Sequence, residues 1–313
     1  MRADLTRSGR RPTLLIVGCG DVGLRVLREL GPHWRVHVLT STPSRVAELR
    51  AAGAVPLVGD LDEPATLGRL GGLAERVLHL APPPAEGNTD PRTAALVRAL
   101  RRGGRTRHLV YGSTSGVYGD CAGARIDETR EVAPSTARAW RRVDAEARLR
   151  HFGRATGCTV TVLRIPGIYA LDRPGGDPRD RLRRGLPILQ AQDDVYTNHV
   201  HADDLARACV AALLRGRPQR IVNACDDGEL KMGEHYELVA DLCGLPRPPR
   251  VTREEAAARL GSMAMTFLGE SRRLANDRLA RELRLRLRYP TVREALQAQA
   301  EPPGAGATPP GRA

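Results

Sequence analysis

Short apolar runs alternate with amphipathic stretches along the first half of the chain, with the spacing of strand, helix, strand units. The runs predict strands at residues 13–17, 36–40, 54–58, 76–80, 108–112 and 159–165, and the amphipathic stretches predict helices at 22–30, 44–52, 64–70, 91–102 and 135–156. Several of these strands are near-continuous in Val, Ile and Leu, so both of their faces must be covered; that is the condition of a parallel sheet with helices on either side. The expected fold class is α/β, a doubly wound parallel sheet joined by right-handed crossovers. Beyond Ile165 the pattern fails, where Pro166, Pro174, Gly175, Gly176, Pro178 and Pro187 predict loops. A helix at 202–214 and a strand at 220–223 restore it, and helices at 233–242, 253–260 and 274–282 lie in a second irregular stretch. The expected organisation is a flexible N-terminus (1–11), a main domain over 12–165 to which 198–224 return, and a small C-terminal substrate lobe made of 166–197 and 225–300. The Pro-, Gly- and Ala-rich tail 301–313 is expected to be disordered.

Composition narrows the function classes. With 41% hydrophobic residues and no run near the roughly 18 apolar residues of a membrane span, no membrane partner is expected. Residues 1–11 are basic but lead into a short strand rather than a signal-peptide core, so the expected compartment is the cytoplasm. Cys19, Cys121, Cys158, Cys209, Cys225 and Cys243 show no zinc or redox spacing, and no metal site is expected. The net charge is +13, almost all of it arginine, since Lys231 is the one lysine. These arginines are strewn along helices, as at Arg138, Arg141, Arg142, Arg148 and Arg150, and not gathered into a nucleic-acid face. An anionic small-molecule substrate or compositional bias meets the excess equally well, and a homodimer is an admissible assembly.

The strongest chemical motif is Gly18-Cys19-Gly20-Asp21-Val22-Gly23, between the first strand and the first helix. In that context Gly18 permits a tight turn, Gly20 lets the backbone approach a pyrophosphate, and Gly23 lets the helix pack closely on the sheet. The helix N-terminus then offers free N–H groups to the diphosphate. This is a Rossmann-type dinucleotide site. A carboxylate that would hold the ribose of NAD normally ends the second strand; here that place reads Leu39-Thr40-Ser41-Thr42-Pro43-Ser44-Arg45. NADP is therefore expected over NAD, with Thr40, Ser41 and Arg45 near its 2′-phosphate.

Five segments in order extend the reading: the glycine turn, Gly59-Asp60-Leu61, Ser113-Thr114-Ser115-Gly116-Val117-Tyr118-Gly119, Arg164-Ile165-Pro166-Gly167-Ile168-Tyr169, and His201-Ala202-Asp203-Asp204-Leu205-Ala206. Together they resemble the extended short-chain dehydrogenase/reductases, which include nucleotide-sugar epimerases and dehydratases. The resemblance implies that Asp60 and Leu61 meet the adenine, that Ala81 and Pro82 pass the nicotinamide ribose, and that Thr114 is the catalytic hydroxyl bonding the reacting oxygen. It also implies an acid/base tyrosine four positions before a lysine. Aligned on Glu146, those two places hold Arg138 and Arg142.

Arginine stays charged and cannot relay a proton. Arg142 is left with a cofactor-binding role, at a ribose or phosphate, and Arg138 with an anionic substrate. Proton transfer would fall to Tyr118, Tyr169 or Tyr196, or to His199 or His201, or would not occur at all. Basic residues in Glu270-Ser271-Arg272-Arg273-Leu274-Ala275-Asn276 are placed to clamp a diphosphate or simply to open a helix. The expected function is an NAD(P)-dependent oxidoreductase or epimerase-like enzyme acting on a hydroxyl or carbonyl of a small polar substrate, a sugar nucleotide included. The alternative is a non-catalytic NAD(P)-binding sensor.

Overall fold

The computed structural model of the protein describes residues 11–300; the expectations for residues 1–10 and for the tail 301–313 lie outside the described residues. The chain runs β1 (Thr13–Val17), α1 (Asp21–Leu30), β2 (Arg35–Thr40), α2 (Val46–Ala51), β3 (Val55–Val58), β4 (Arg76–His79), α3 (Pro91–Gly103), β5 (His108–Thr114), β6 (Arg125–Ile126), α4 (Ala137–Thr156) and β7 (Thr159–Ile165). It continues through β8 (Gly167–Tyr169), α5 (Pro178–Arg183), β9 (Ile188–Leu189), β10 (His199–His201), α6 (Ala202–Arg215), β11 (Arg220–Asn223) and α7 (Met232–Cys243). The last elements are β12 (Arg250–Val251), α8 (Arg253–Arg259), α9 (Ser262–Leu268), β13 (Arg273–Leu274), α10 (Asp277–Arg281) and α11 (Val292–Ala300).

Seven strands form one sheet in the order β11-β7-β5-β4-β1-β2-β3, and every neighbouring pair is parallel. The order reverses between β1 and β4, so the loops after these two strands part to opposite sides and leave a crevice at the strands' C-terminal ends. Alternate residues of β1 explain the two layers. Leu14 and Ile16 join Val26 and Leu27 of α1 and Leu205 and Cys209 of α6 in one core. Leu15 and Val17 join Leu96 and Leu100 of α3 and Leu149 and Phe152 of α4 in the other. Among the described residues no helix is long and apolar enough to cross a membrane, and the six cysteines are free, five of them buried.

Three expectations are corrected. Residues 64–70 do not form an α-helix: Pro64–Leu67 and Leu70–Gly72 are separate 3-10 turns. Gly71 lies so close to the end of α3 that a Cβ there would stand 2.6 Å from the Gly103 nitrogen, a crossing that a helical side-chain surface would prevent. The helix expected at 274–282 begins only at Asp277, because Leu274 pairs with Ile126 in a two-stranded ladder. The stretch 166–197 is not all loop, since it contains β8, β9 and α5, with β8 pairing to β10 and β9 to β12.

The C-terminal ends of the central strands are tied by buried polar groups. Glu146 of α4 accepts from Ser113 Oγ of β5 at 2.6 Å and pairs with Arg164 of β7 at 2.8 Å, the two side chains 6% and 4% exposed. The Arg164 guanidinium lies 4.6 Å over the Tyr118 ring, and Tyr118 Oη donates to Asn223 Oδ1 of β11 at 2.8 Å. Removing one member of a buried pair strands the other charge, a loss of about 3–5 kcal/mol. Glu146→Leu should therefore lower the unfolding free energy in urea by that order, and the double change Glu146→Leu with Arg164→Met should recover most of it. A single variant within about 0.5 kcal/mol of the parent, the range of ordinary surface substitutions, would show that the tie is unimportant.

Candidate functional site

Two clefts open at the C-terminal edge of the sheet. The first, of about 400 Å³, is lined by Gly18, Cys19 and Gly20 after β1, Thr40, Ser41, Thr42 and Arg45 after β2, Asp60 and Leu61 after β3, and Ala81 and Pro82 after β4. Gly18 has φ +88°, and a Cβ there would meet the Ala81 nitrogen at 2.3 Å; the next loop crosses directly over it, with Leu80 and Ala81 both donating to the Val17 carbonyl. Gly20 is the reverse case, since a Cβ built on it meets nothing within 4 Å. Gly20 also caps α1 with no side-chain acceptor, so the first-turn N–H groups have no side-chain capping partner. The arrangement is a cradle for an anion.

Most residues expected to bind the cofactor are brought together here. Arg45 is held by its Nη1, which donates to the Cys19 carbonyl at 2.7 Å, and by an ion pair with Glu48 at 2.9 Å. The remaining expected residues stand elsewhere. Asp21 turns from the cleft to pair with Arg25 and Arg173, and Val22 packs against the core on the α1 and α6 side. Gly23 lies against Cys19, whose Sγ would be 2.9 Å from a Cβ there, which fits a packing role. Arg142 is absent from the lining and donates through Nη1 to the Gly112 carbonyl at 2.9 Å and to Tyr111 Oη at 3.0 Å. Sequence reasoning missed Arg92, which lines the cleft, donates to the Pro82 carbonyl and pairs with Asp62. Its position in the first turn of a helix gave no signal.

The second cleft, of about 800 Å³, is larger and holds Thr114 and Arg138. Thr114 Oγ1 accepts from the Gly116 nitrogen at 3.2 Å, which fixes the side chain at the strand end and leaves its proton available. The other walls come from Tyr169 of β8, Arg181 and Arg184 in and after α5, Tyr196, His199 of β10, His235 of α7 and Phe267 of α9. His199 stacks on His235 with ring centroids 4.1 Å apart. Burial lowers the His199 pKa to about 4 and lowers that of His235 as well, with His199 adding to the effect. Both rings are neutral at pH 7.

The candidate proton carriers separate by position. Tyr118 is fully buried and bonded to Asn223. His201 caps α6, its Nδ1 accepting from the Asp203 nitrogen, and it is buried at 1% exposure. Tyr169, Tyr196 and His199 line the larger cleft; burial raises the Tyr169 pKa above its ordinary value. In the late basic segment Arg272 reaches the larger cleft and is paired with Glu270 at 2.8 Å. Arg273 lies over the Tyr196 ring, and Asn276 donates to Asp227 and to the Cys225 carbonyl, a scaffold role. Arg181, Arg184, His235 and Phe267 escaped sequence reasoning because they lie far from every motif and reach the cleft only through the fold. Among the described residues no group of three or more His, Cys, Asp or Glu side chains is placed to hold a metal.

Comparison with known proteins accords with this geometry. A family model described as the NAD dependent epimerase/dehydratase family matches residues 14–225. A functionally unknown conserved protein from Silicibacter pomeroyi is similar at 33% identity, over 92% of this chain and 98% of its own, with a TM-score of 0.78. A UDP-glucose 4-epimerase from Thermotoga maritima, solved with UDP-glucose, superposes at 21% identity over 91% and 96% of the two chains, with a TM-score of 0.73. A dTDP-glucose 4,6-dehydratase double mutant from Streptomyces venezuelae, solved with NAD, superposes at 20% identity over 92% and 97%, with a TM-score of 0.71. The last two likenesses show the fold alone. A search of curated proteins returned no match. With more than half of its length matched by the family model, the chain belongs to the NAD-dependent epimerase/dehydratase family.

Proposed function

We propose that the chain is an NAD(P)-dependent oxidoreductase or epimerase-like enzyme acting on a hydroxyl or carbonyl of a small polar substrate, with NADP preferred over NAD. The observation that carries the reading is the open face of Gly20 at the uncapped start of α1, beside a separate cleft that contains Thr114. The donor set fits a dinucleotide. Gly18, Gly20 and the first turn of α1 would hold the pyrophosphate, Asp60 and Leu61 the adenosine, and Ala81 and Pro82 the nicotinamide ribose. Thr40, Ser41 and Arg45 would take the 2′-phosphate of NADP. No carboxylate from β2 competes there, and the exposed Arg45–Glu48 pair is weak enough to yield. Family neighbours solved with NAD or a sugar nucleotide support a nicotinamide cofactor and leave a sugar nucleotide among the candidate substrates.

When bound, the nicotinamide supplies hydride exchange at the substrate carbon. The chain's own part is to orient that carbon, exclude water and handle the proton. Thr114 Oγ1, with its acceptor role filled by Gly116, donates to the reacting oxygen. Of the candidates that line the same cleft, Tyr169, Tyr196 and His199, we assign the proton to His199, whose imidazole is neutral at pH 7 and accepts the hydroxyl proton on oxidation. Arg138 stays cationic and is left to bind, while Arg142 holds the Gly112 carbonyl at the strand end.

Four variants test this reading. Gly20→Leu should fold as the parent does, because its side chain enters open space, yet lose NADPH binding in a calorimetric titration; unchanged affinity would defeat the cofactor site. Arg45→Ala should weaken NADPH several-fold more than NADH, and equal losses would remove the stated preference. Thr114→Val should lower kcat by about a hundredfold, as loss of one transition-state hydrogen bond does, with little change in NADPH affinity. For His199 the sign follows from its lowered pKa: the neutral base is present above about pH 4, so kcat/KM for oxidation should fall only as pH drops through that value, and His199→Gln should abolish that limb. Tight NADPH binding without turnover on any hydroxyl or carbonyl compound would leave a cofactor-binding sensor.

A further inference from the structure

The larger cleft is lined by five arginines and three carboxylates, and each carboxylate already serves an arginine. Asp177 pairs with Arg179 and Arg183, Asp180 with Arg183, and Glu270 with Arg272. Arg138, Arg181 and Arg184 have no carboxylate partner among the described residues. Arg181 is nevertheless engaged, donating to the Pro187 carbonyl and lying over Tyr236, and Arg184 donates to the Asp180 carbonyl. Arg138 has no hydrogen-bond acceptor at all among the described residues. Arg138 is exposed, and its guanidinium is seated 4.9 Å over the Phe267 ring, so its direction is set while its five donors are left to solvent.

Its surroundings add charge of the same sign. Arg141 and Arg142 follow on the same helix without carboxylate partners; the first donates to the Gly87 carbonyl and the second to Gly112 and Tyr111. The nearest acid, Glu270, is occupied by Arg272 and by Ser135 Oγ. Partial withdrawal from water, and then Arg142, push the Arg138 pKa below its ordinary value, while Glu270 acts in the opposite sense. The guanidinium stays charged at neutral pH. An anion brought into the cleft would replace water on donors arranged in a planar fork and would relieve the repulsion between neighbouring guanidinium groups.

We propose that Arg138 is the docking point for a carboxylate of the substrate whose reacting oxygen Thr114 holds in the same cleft, so that the ligand class is a hydroxy acid. The proposal rests on the function proposed above and goes further by naming the charged group of the substrate and its anchor. One planar fork matches one planar carboxylate. The neutral pair His199 and His235 then supplies the uncharged polar wall of the cleft.

The test uses the full chain saturated with NADPH, where a hydroxy acid gives a ternary complex with no hydride acceptor. Binding of glycolate, 3-hydroxybutyrate and glucuronate is measured by calorimetry against glycolamide, 3-hydroxybutyramide and glucuronamide, with inorganic phosphate as a further probe. At least one acid should bind about tenfold or more tightly than its amide, the worth of a charge-assisted contact. Arg138→Gln should erase the difference while NADPH binding, set in the other cleft, persists, and Arg138→Lys should keep part of it. Acid and amide binding alike, a preference that survives Arg138→Gln, phosphate binding tighter than every acid, or no acid binding at all would each overturn the proposal. Loss of NADPH binding by the parent protein would instead overturn the cofactor reading beneath it.

Discussion

The Glu146–Arg164 pair constrains everything above it. Neither charge can stay buried alone, so α4 must sit on β5 and β7 in the one register that brings Glu146 to both Ser113 and Arg164. That register presents the turns of α4 that precede Glu146 to the end of the sheet, where Arg142 grips the Gly112 carbonyl and Arg138 enters the larger cleft. From Arg164 the tie runs through Tyr118 and Asn223 to Glu128, whose carboxylate accepts from the Asn223 nitrogen and pairs with Arg278 of α10. The polar network therefore fastens the last strand and the C-terminal elements to the same edge that carries Thr114.

A second hub joins the two clefts. Arg25, its side chain 4% exposed, pairs with Asp21 at the start of α1, Asp172 after β8 and Asp203 at the start of α6. Asp21 also meets Arg173. The glycine-turn helix and the loop leading to α5 thus share counter-charges, which explains why the residue next to Gly20 faces away from its cleft. Much of the arginine excess is structural in this sense. Arg138, Arg141 and Arg142 of α4 differ, because among the described residues they face carbonyls, a phenol and an aromatic ring, and pair with no acid.

Legibility followed the range of the interactions. The strands at 13–17 and 159–165 could be read to the residue because a doubly covered parallel strand writes its burial into consecutive apolar positions. The glycine turn was equally legible, since Gly18 and Gly20 answer to backbone geometry within the turn. The paired fragments β6 with β13, β8 with β10 and β9 with β12 were not, because each is two or three residues long and its partner lies far along the chain. The 3-10 turns at 64–72 replaced a helix for a reason visible only in space, the contact of Gly71 with Gly103. α11 was overlooked although Val292, Ala295 and Leu296 do share one buried face. The same division holds for the site: the sequence motifs supplied the smaller cleft and Thr114, whereas Arg92, Arg181, Arg184, His235 and Phe267 came from segments without a motif.

The central claim is that one sheet edge holds a dinucleotide in the glycine-turn cleft, with its reactive end turned toward Thr114. A crystal structure of the chain grown with NADPH tests it most directly. The account predicts density for the pyrophosphate over Gly20, the 2′-phosphate within contact of Arg45, and the nicotinamide passing Ala81 and Pro82 toward Thr114. A dinucleotide bound elsewhere, or one whose nicotinamide points away from the cleft that contains Thr114 and Arg138, would contradict it.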